Sequence, residues 1–189
     1  MFEIASEEAA RLVTLTTDFL AYARPRPPKL ALCDVLELLA ETRAECLESA
    51  DIAPGQLRLE PWPGPGAALV QADDEQLKTV FRELIANAVD AVAANRGTIL
   101  LRCRPAVQDD TLEVLVEDRG YGMPPAVLQR AFDPFFSHRV AGRGRGLGLS
   151  RAFRILEAHA GRIWLESRPD EGTTAHVLLP RATPEHPAS

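Results

Sequence analysis

Residues 118–150, "DRGYGMPPAVLQRAFDPFFSHRVAGRGRGLGLS", hold six glycines and three prolines. Regular patterns flank the segment on both sides, yet it shows neither helical nor strand periodicity. Loops beyond about 12–15 residues are uncommon in compact domains and are usually functional lids or linkers. The phenylalanines at 132, 135 and 136 argue against a plain linker. The glycines and the arginines at 119, 130, 139, 143 and 145 suit an anion. The fold must therefore hold a long irregular strap beside a site.

The strap divides a readable chain. Residues 2–23 read as a helix, with Ala5, Ala9, Leu12, Thr16, Phe19 and Ala23 at the alternating spacing of a coiled-coil seam. "RPRPPK" stops it, because proline cannot continue a helix and restrains the residue before it. A second helix is expected over about 34–49. Strands follow around "QLRLEP" and "AALVQA", separated by the turn cluster "PWPGPG". Asp73 or Asp74 caps a long helix, "EQLKTVFRELIANAVDAVAA", which Gly97 ends. "TILLRCRP" and "TLEVLVED" are strand-like. Beyond the strap come a helix, "LSRAFRILEAHA", closed by Gly161, and two strands, "RIWLES" and "TAHVLLP". This order predicts an α+β fold, a two-layer α/β sandwich with helices on one face of a mixed sheet, preceded by one N-terminal helix.

Bulk properties exclude some functions. The net charge of −6 offers no general field for nucleic acid. No apolar run approaches a membrane span, and the acidic start does not resemble a signal peptide, so a cytoplasmic setting is expected. Cys33, Cys46 and Cys103 lack C-x-x-C spacing and read as plain buried thiols. The four histidines show no metal-ligand spacing.

Three features carry chemistry. On the long helix Leu77, Val80, Phe81, Leu84, Ala88 and Val92 form a core face, and Glu83, Asn87 and Asp90 form a narrow stripe on its flank. That stripe is either a solvated face or a hard-oxygen set suited to Mg²⁺, which binds few protein groups plus substrate phosphates. Asp118 ends a strand and is followed by Gly120 and Gly122. This is either a simple turn or a carboxylate aimed at a ligand amino group. "GRGRGLGLS" is neither a Walker A loop nor a dinucleotide fingerprint. It leads directly into a helix N-terminus, where free N–H groups and the helix dipole favour phosphate.

Taken in order, these pieces resemble the catalytic and ATP-binding domain of bacterial sensor histidine kinases, of the Bergerat-type ATPase superfamily shared with gyrase and mismatch-repair ATPases. "ELIANAVDA" resembles the N box, "DRGYGMP" the first glycine box and "FDPFFSHR" the F box. "GRGRGLGLS" resembles the second glycine box, and "GTTAHVLLP" the closing strand motif. Residues 1–28 resemble the second helix of a dimerisation hairpin and its proline-rich exit, 29–181 the ATP-binding domain, and 182–189 a tail.

The resemblance implies ATP and Mg²⁺ as ligands, with Asn87 on the metal and Asp118 on the adenine amino group. It implies Thr173 supporting the base through water, and Gly144, Gly146 and Gly148 facing the phosphates. Asp90, Gly120, Gly122, Met123, Arg139, Arg143, Arg145 and Leu147 complete the implied nucleotide site, and Phe132, Phe135 and Phe136 anchor the lid. Implied partners are a response-regulator receiver domain and the hairpin of a homodimer, with no nucleic acid. Two departures follow. None of the four histidines occupies the phosphate-accepting place, which belongs to the hairpin's first helix. Glu83 stands where many such kinases have Asn and hydrolytic relatives have a base, so an ATP-hydrolysing switch or a nucleotide-binding scaffold are the rival expectations.

Overall fold

The computed structural model describes residues 26–49, 52–53, 55–64, 66–93, 97–106, 110–137 and 146–182. The expected helix over 2–23 and most of the tail lie outside them.

Strand β1 (Ala31–Asp34) precedes helix α1 (Val35–Ser49), and β2 (Leu57–Leu59) and β3 (Leu69–Ala72) lead to α2 (Asp74–Val92). Then come β4 (Ile99–Pro105), β5 (Thr111–Asp118), a one-turn α3 (Pro125–Leu128), α4 (Gly148–Ala158), β6 (Arg162–Arg168) and β7 (Gly172–Pro180). Five strands form one sheet in the order β2-β4-β5-β7-β6, with β2 parallel to β4 and every other pair antiparallel. β1 and β3 form a separate antiparallel pair. This is the mixed sheet and two-layer arrangement that the pattern predicts.

Alternation in the central strands sets the layers. Leu112, Val114 and Val116 of β5 are all buried on the inner face. There they join Leu101 and Cys103 of β4, Ala175 and Val177 of β7, and Ile163 of β6. The helices complete that core. Every predicted core position of α2, from Leu77 to Val92, is buried in it. Ala152, Ile155 and Leu156 of α4 and Val35, Leu38 and Leu39 of α1 join them. The outer face carries charge instead: Arg102 bridges Glu60 and Glu117, Arg104 pairs with Glu113, and Trp164 stacks on His176 at 4.6 Å.

Asp73 is the N-cap of α2, its Oδ1 accepting from Gln76 N at 3.1 Å. Its Oδ2 accepts from Lys29 N at 2.9 Å and Arg26 Nη2 at 2.7 Å, so the same carboxylate holds the entering chain. His159, the C-cap of α4, accepts from Asp73 N at 3.0 Å through Nε2, which places the proton on Nδ1, 2.7 Å from Ile155 O.

Several local expectations need correction. Helix α2 reaches its C-cap at Ala93, four positions before Gly97. Ala160, at φ +52°, takes the left-handed position after α4, and Gly161 instead lets that corner approach Leu178 O. The strap contains the one-turn α3, which begins at Pro125 where proline suits the first helical turn. Cys33 is only half-buried, whereas Cys46 and Cys103 are buried.

Candidate functional site

The inner face of the sheet ends in a polar row. Asp118, the last residue of β5, pairs across the ladder with Thr173 of β7, and Thr173 pairs with Ser167 of β6. The next inner row, Val116, Ala175 and Leu165, is apolar. A carboxylate and two hydroxyls thus stand at the rim of a hydrophobic core, the composition of a small-molecule site. Asp118 is 9% exposed, and its Oδ1 accepts from Gly120 N at 2.8 Å and Thr173 N at 3.3 Å. Burial raises its pKa above the ordinary carboxylate value, and these two N–H groups oppose that without cancelling it.

Three glycines hold the row by close backbone approach. A Cβ on Gly120 would stand 2.5 Å from Ala91 O at the end of α2. Gly122 has φ +61°, and a Cβ there would fall 1.9 Å from Arg168 O. Gly172 has φ +100° and would meet Asp118 O at 2.0 Å. The loop after Asp118 is stitched to its neighbours by Tyr121 N to Ala91 O, Asp170 N to Tyr121 O and Met123 N to Ser167 Oγ. Glycine is required here because any side chain would collide with backbone.

Helix α2 forms one wall. Asn87 is half-buried and Asp90, nearly one turn on, is exposed. Glu83 is not open: it forms an ion pair with Arg151 of α4, and its Oε2 lies where a Cβ on Gly148 would be, at 2.4 Å. Helix α4 starts at Gly148 with Leu147 as N-cap and no side-chain cap, so its first N–H groups are left to a ligand or solvent. Leu147 itself is buried, which limits its part in any ligand contact to backbone.

The two described arms of the strap meet at Phe135 N, which donates to Gly146 O at 2.8 Å. Gly146 has φ +66°, and a Cβ on it would strike the backbone of Phe135 and Phe136 at 2.5–2.7 Å. Phe132 packs towards the core and against Phe153 of α4, with ring centroids 6.0 Å apart, and Phe136 lies under Arg130 at 4.2 Å. Phe135 differs from the expected anchor: its side chain is 58% exposed, and it holds the strap through its backbone. Arg139, Arg143, Gly144 and Arg145 lie outside the described residues.

Among the sequence-predicted residues, then, the fold brings Asp118, Gly120, Gly122, Met123 and Thr173 together at the sheet edge. It sets Asn87 and Asp90 on the α2 wall, and Gly146 and Gly148 at the start of α4. Sequence reasoning missed Ser167 and Arg151, and it read Gly172 only as the first residue of the closing strand motif. Ser167 gave no local signal, because strand pairing brings it to the site. Arg151 was legible only as the residue three after Gly148, on the helix turn facing Glu83.

The model of the histidine kinase-, DNA gyrase B- and HSP90-like ATPase family matches residues 72–183, more than half of the chain. The chain belongs to that family. Sensor protein FixL of Bradyrhizobium diazoefficiens is 40% identical over 118 residues, which cover 62% of this chain and 23% of FixL. Sensor histidine kinase ZraS of Klebsiella oxytoca is 34% identical over 177 residues, covering 94% of this chain and 37% of its own length. The chain therefore spans well under half the length of these relatives. Among solved structures, full-length ShkA in complex with AMPPNP superposes with a TM-score of 0.74 at 25% identity, covering 94% of this chain and 37% of that one. The catalytic domain of histidine kinase ThkA gives 0.68 at 25% identity, covering 81% of this chain and 96% of that one. The fold is thus that of the ATP-binding domain of histidine kinases. Among the described residues no helix is long and apolar enough to cross a membrane.

Proposed function

We propose that residues 29–181 form the ATP-binding catalytic unit of a sensor histidine kinase, which passes the γ-phosphoryl group of ATP to a histidine on a dimerisation helix. A response-regulator receiver domain would then take the group. The observation that carries this reading is the buried carboxylate of Asp118 at the sheet edge, in a fold that also leaves the N-terminus of α4 without a side-chain cap. The first suits an amino group of a base and the second suits phosphate. Asp118 orients the base, the α4 N-terminus takes negative charge, and the strap arms joined at Phe135 and Gly146 exclude water when closed over the nucleotide. Mg²⁺ would be held by Asn87, with Asp90 nearby. Such an ion typically binds few protein groups and takes its remaining ligands from water and substrate phosphates. When bound, that ion neutralises developing charge on the phosphates.

Neither described histidine is placed to accept phosphate. His159 is buried with both ring nitrogens engaged, and His176 is buried with Nδ1 against Glu113 at 2.8 Å. The ion pair of Glu83 with Arg151 counts against hydrolysis with Glu83 as base. Radiolabelled ATP tests the reading. The chain alone should accumulate no phosphohistidine, a hairpin carrying a histidine-bearing first helix should become labelled, and Asn87→Ala should abolish that labelling. Acid-labile, base-stable label on this chain alone would overturn it.

A further inference from the structure

Ser167 ties the base end of the site together, and its hydrogen bonds can be counted completely. Its Oγ lies 3.0 Å from Gly172 O, 2.8 Å from Met123 N and 2.9 Å from Thr173 Oγ1. A hydroxyl has one proton and two lone pairs. Gly172 O can only accept, so the Ser167 proton goes there. Met123 N can only donate, so it takes one Ser167 lone pair. The contact with Thr173 must then be made by the Thr173 proton. Thr173 is half-buried, and it turns only lone pairs towards whatever else enters the site. Beside it, Asp118 also accepts only, when ionised.

We propose that Ser167 is a specificity-determining positioning residue: by claiming the Thr173 proton it makes the base end of the site a wall of acceptors. Such a wall takes a purine with an exocyclic amino donor at position 6. A 6-oxo purine presents an acceptor there and finds no donor. The inference rests on the site being a nucleotide site, and it adds how that site separates adenine from its oxo analogues.

The test is calorimetry of the purified chain with ATP and with ITP, which differs from ATP in carrying a 6-oxo group. Wild type should favour ATP by more than about tenfold. Ser167→Ala frees the Thr173 proton to turn towards the ligand, and the ATP-to-ITP affinity ratio should fall by roughly three- to tenfold, about one hydrogen bond. Ser167→Thr keeps a hydroxyl on a residue suited to a strand and should keep the ratio. On a Thr173→Val background, Ser167→Ala should leave the ratio unchanged, because the coupling runs through that hydroxyl. If Ser167→Ala does not fold, Ser167→Cys, whose sulfur is a weak acceptor, should lower the ratio in the same direction. An unchanged ratio in a folded variant, or an equal drop on the Thr173→Val background, overturns the role of Ser167. A wild-type chain that binds neither nucleotide overturns the nucleotide reading instead.

Discussion

The two ends of the site are built differently. At the base end, three strands and the end of α2 converge, and the loop from Asp118 to Met123 is fastened to α2, to β6 and to the β6–β7 turn. At the phosphate end, the start of α4 meets the strap through Phe135 and Gly146, and a charged pair, Glu83 with Arg151, links α4 to α2. The base end is a corner of the core and shares its rigidity. The phosphate end is an uncapped helix start with a strap folded against it. On the proposed reading the base would be held where three strands and α2 converge, and the strap would open for exchange where fewer strands do.

Breaking each end should have different consequences. The largest effect is expected from Gly122→Ala, which must displace Arg168 O and force a non-glycine residue to φ +61°. Denaturant unfolding should show a loss of several kcal/mol, about 3 or more. Gly146→Ala at the strap should cost less in unfolding and more in ATP affinity. Equal unfolding losses would erase the distinction between the ends.

Next comes Asp118→Asn, which keeps the shape but adds a donor where the proposed function puts an adenine amino group. ATP affinity should fall roughly tenfold to a hundredfold, the cost of a buried mismatch of about 1–3 kcal/mol, with the fold intact. Acid should mimic it. Burial raises the Asp118 pKa, so the carboxylate takes a proton at a higher pH than an ordinary Asp and ATP binding weakens there first. Asp73 behaves oppositely. Burial alone would raise its pKa, but the N–H groups of Lys29 and Gln76 and the charge of Arg26 outweigh burial and lower it. Its stabilising contribution is present above the ordinary Asp value and is lost as pH falls below that towards its lowered one. Binding should therefore fail before the Asp73 anchor does. Calorimetry and thermal melts across the same acid range check the order, and the Asp118→Asn chain should lack the first step.

The smallest effect is expected from Glu83→Gln. The pair with Arg151 is partly exposed, at 25% and 32%, so its loss should cost about 1 kcal/mol or less. Basal ATP hydrolysis should not change. Hydrolysis abolished in a folded Glu83→Gln chain would restore the rival reading of Glu83 as a base.

The helices and most strands were legible because their signals are local. The apolar face of α2 and the apolar residues 112, 114 and 116 of β5 follow from packing against the core between the helices and the inner sheet face. Asp118 was legible because a strand-terminal carboxylate before two glycines is also local. Ser167 was not, since only the β6–β7 register carries it next to Thr173. The commitment of Glu83 to Arg151 was hidden because it depends on where α4 lands against α2. Strand β1 escaped notice because four residues after a proline run carry too little pattern, and its partner β3 lies well downstream.

The carboxylate of Asp73 gives the fold a mechanical joint. It grips the entering chain at Arg26 and Lys29 and caps the foot of α2, while the backbone N–H of the same residue donates to His159 at the far end of α4. Helix α4 has 11 residues and is a rod of about 16 Å. As a lever its fulcrum would be His159 and its tip Gly148, which is packed beside Glu83 of α2. A tilt of a few degrees at the fulcrum moves that tip by about 1 Å, enough by itself to put a phosphate out of line. A pull on the entering chain would therefore load the Asp73 joint first and could reach the Gly148 end of α4 only through the length of that helix.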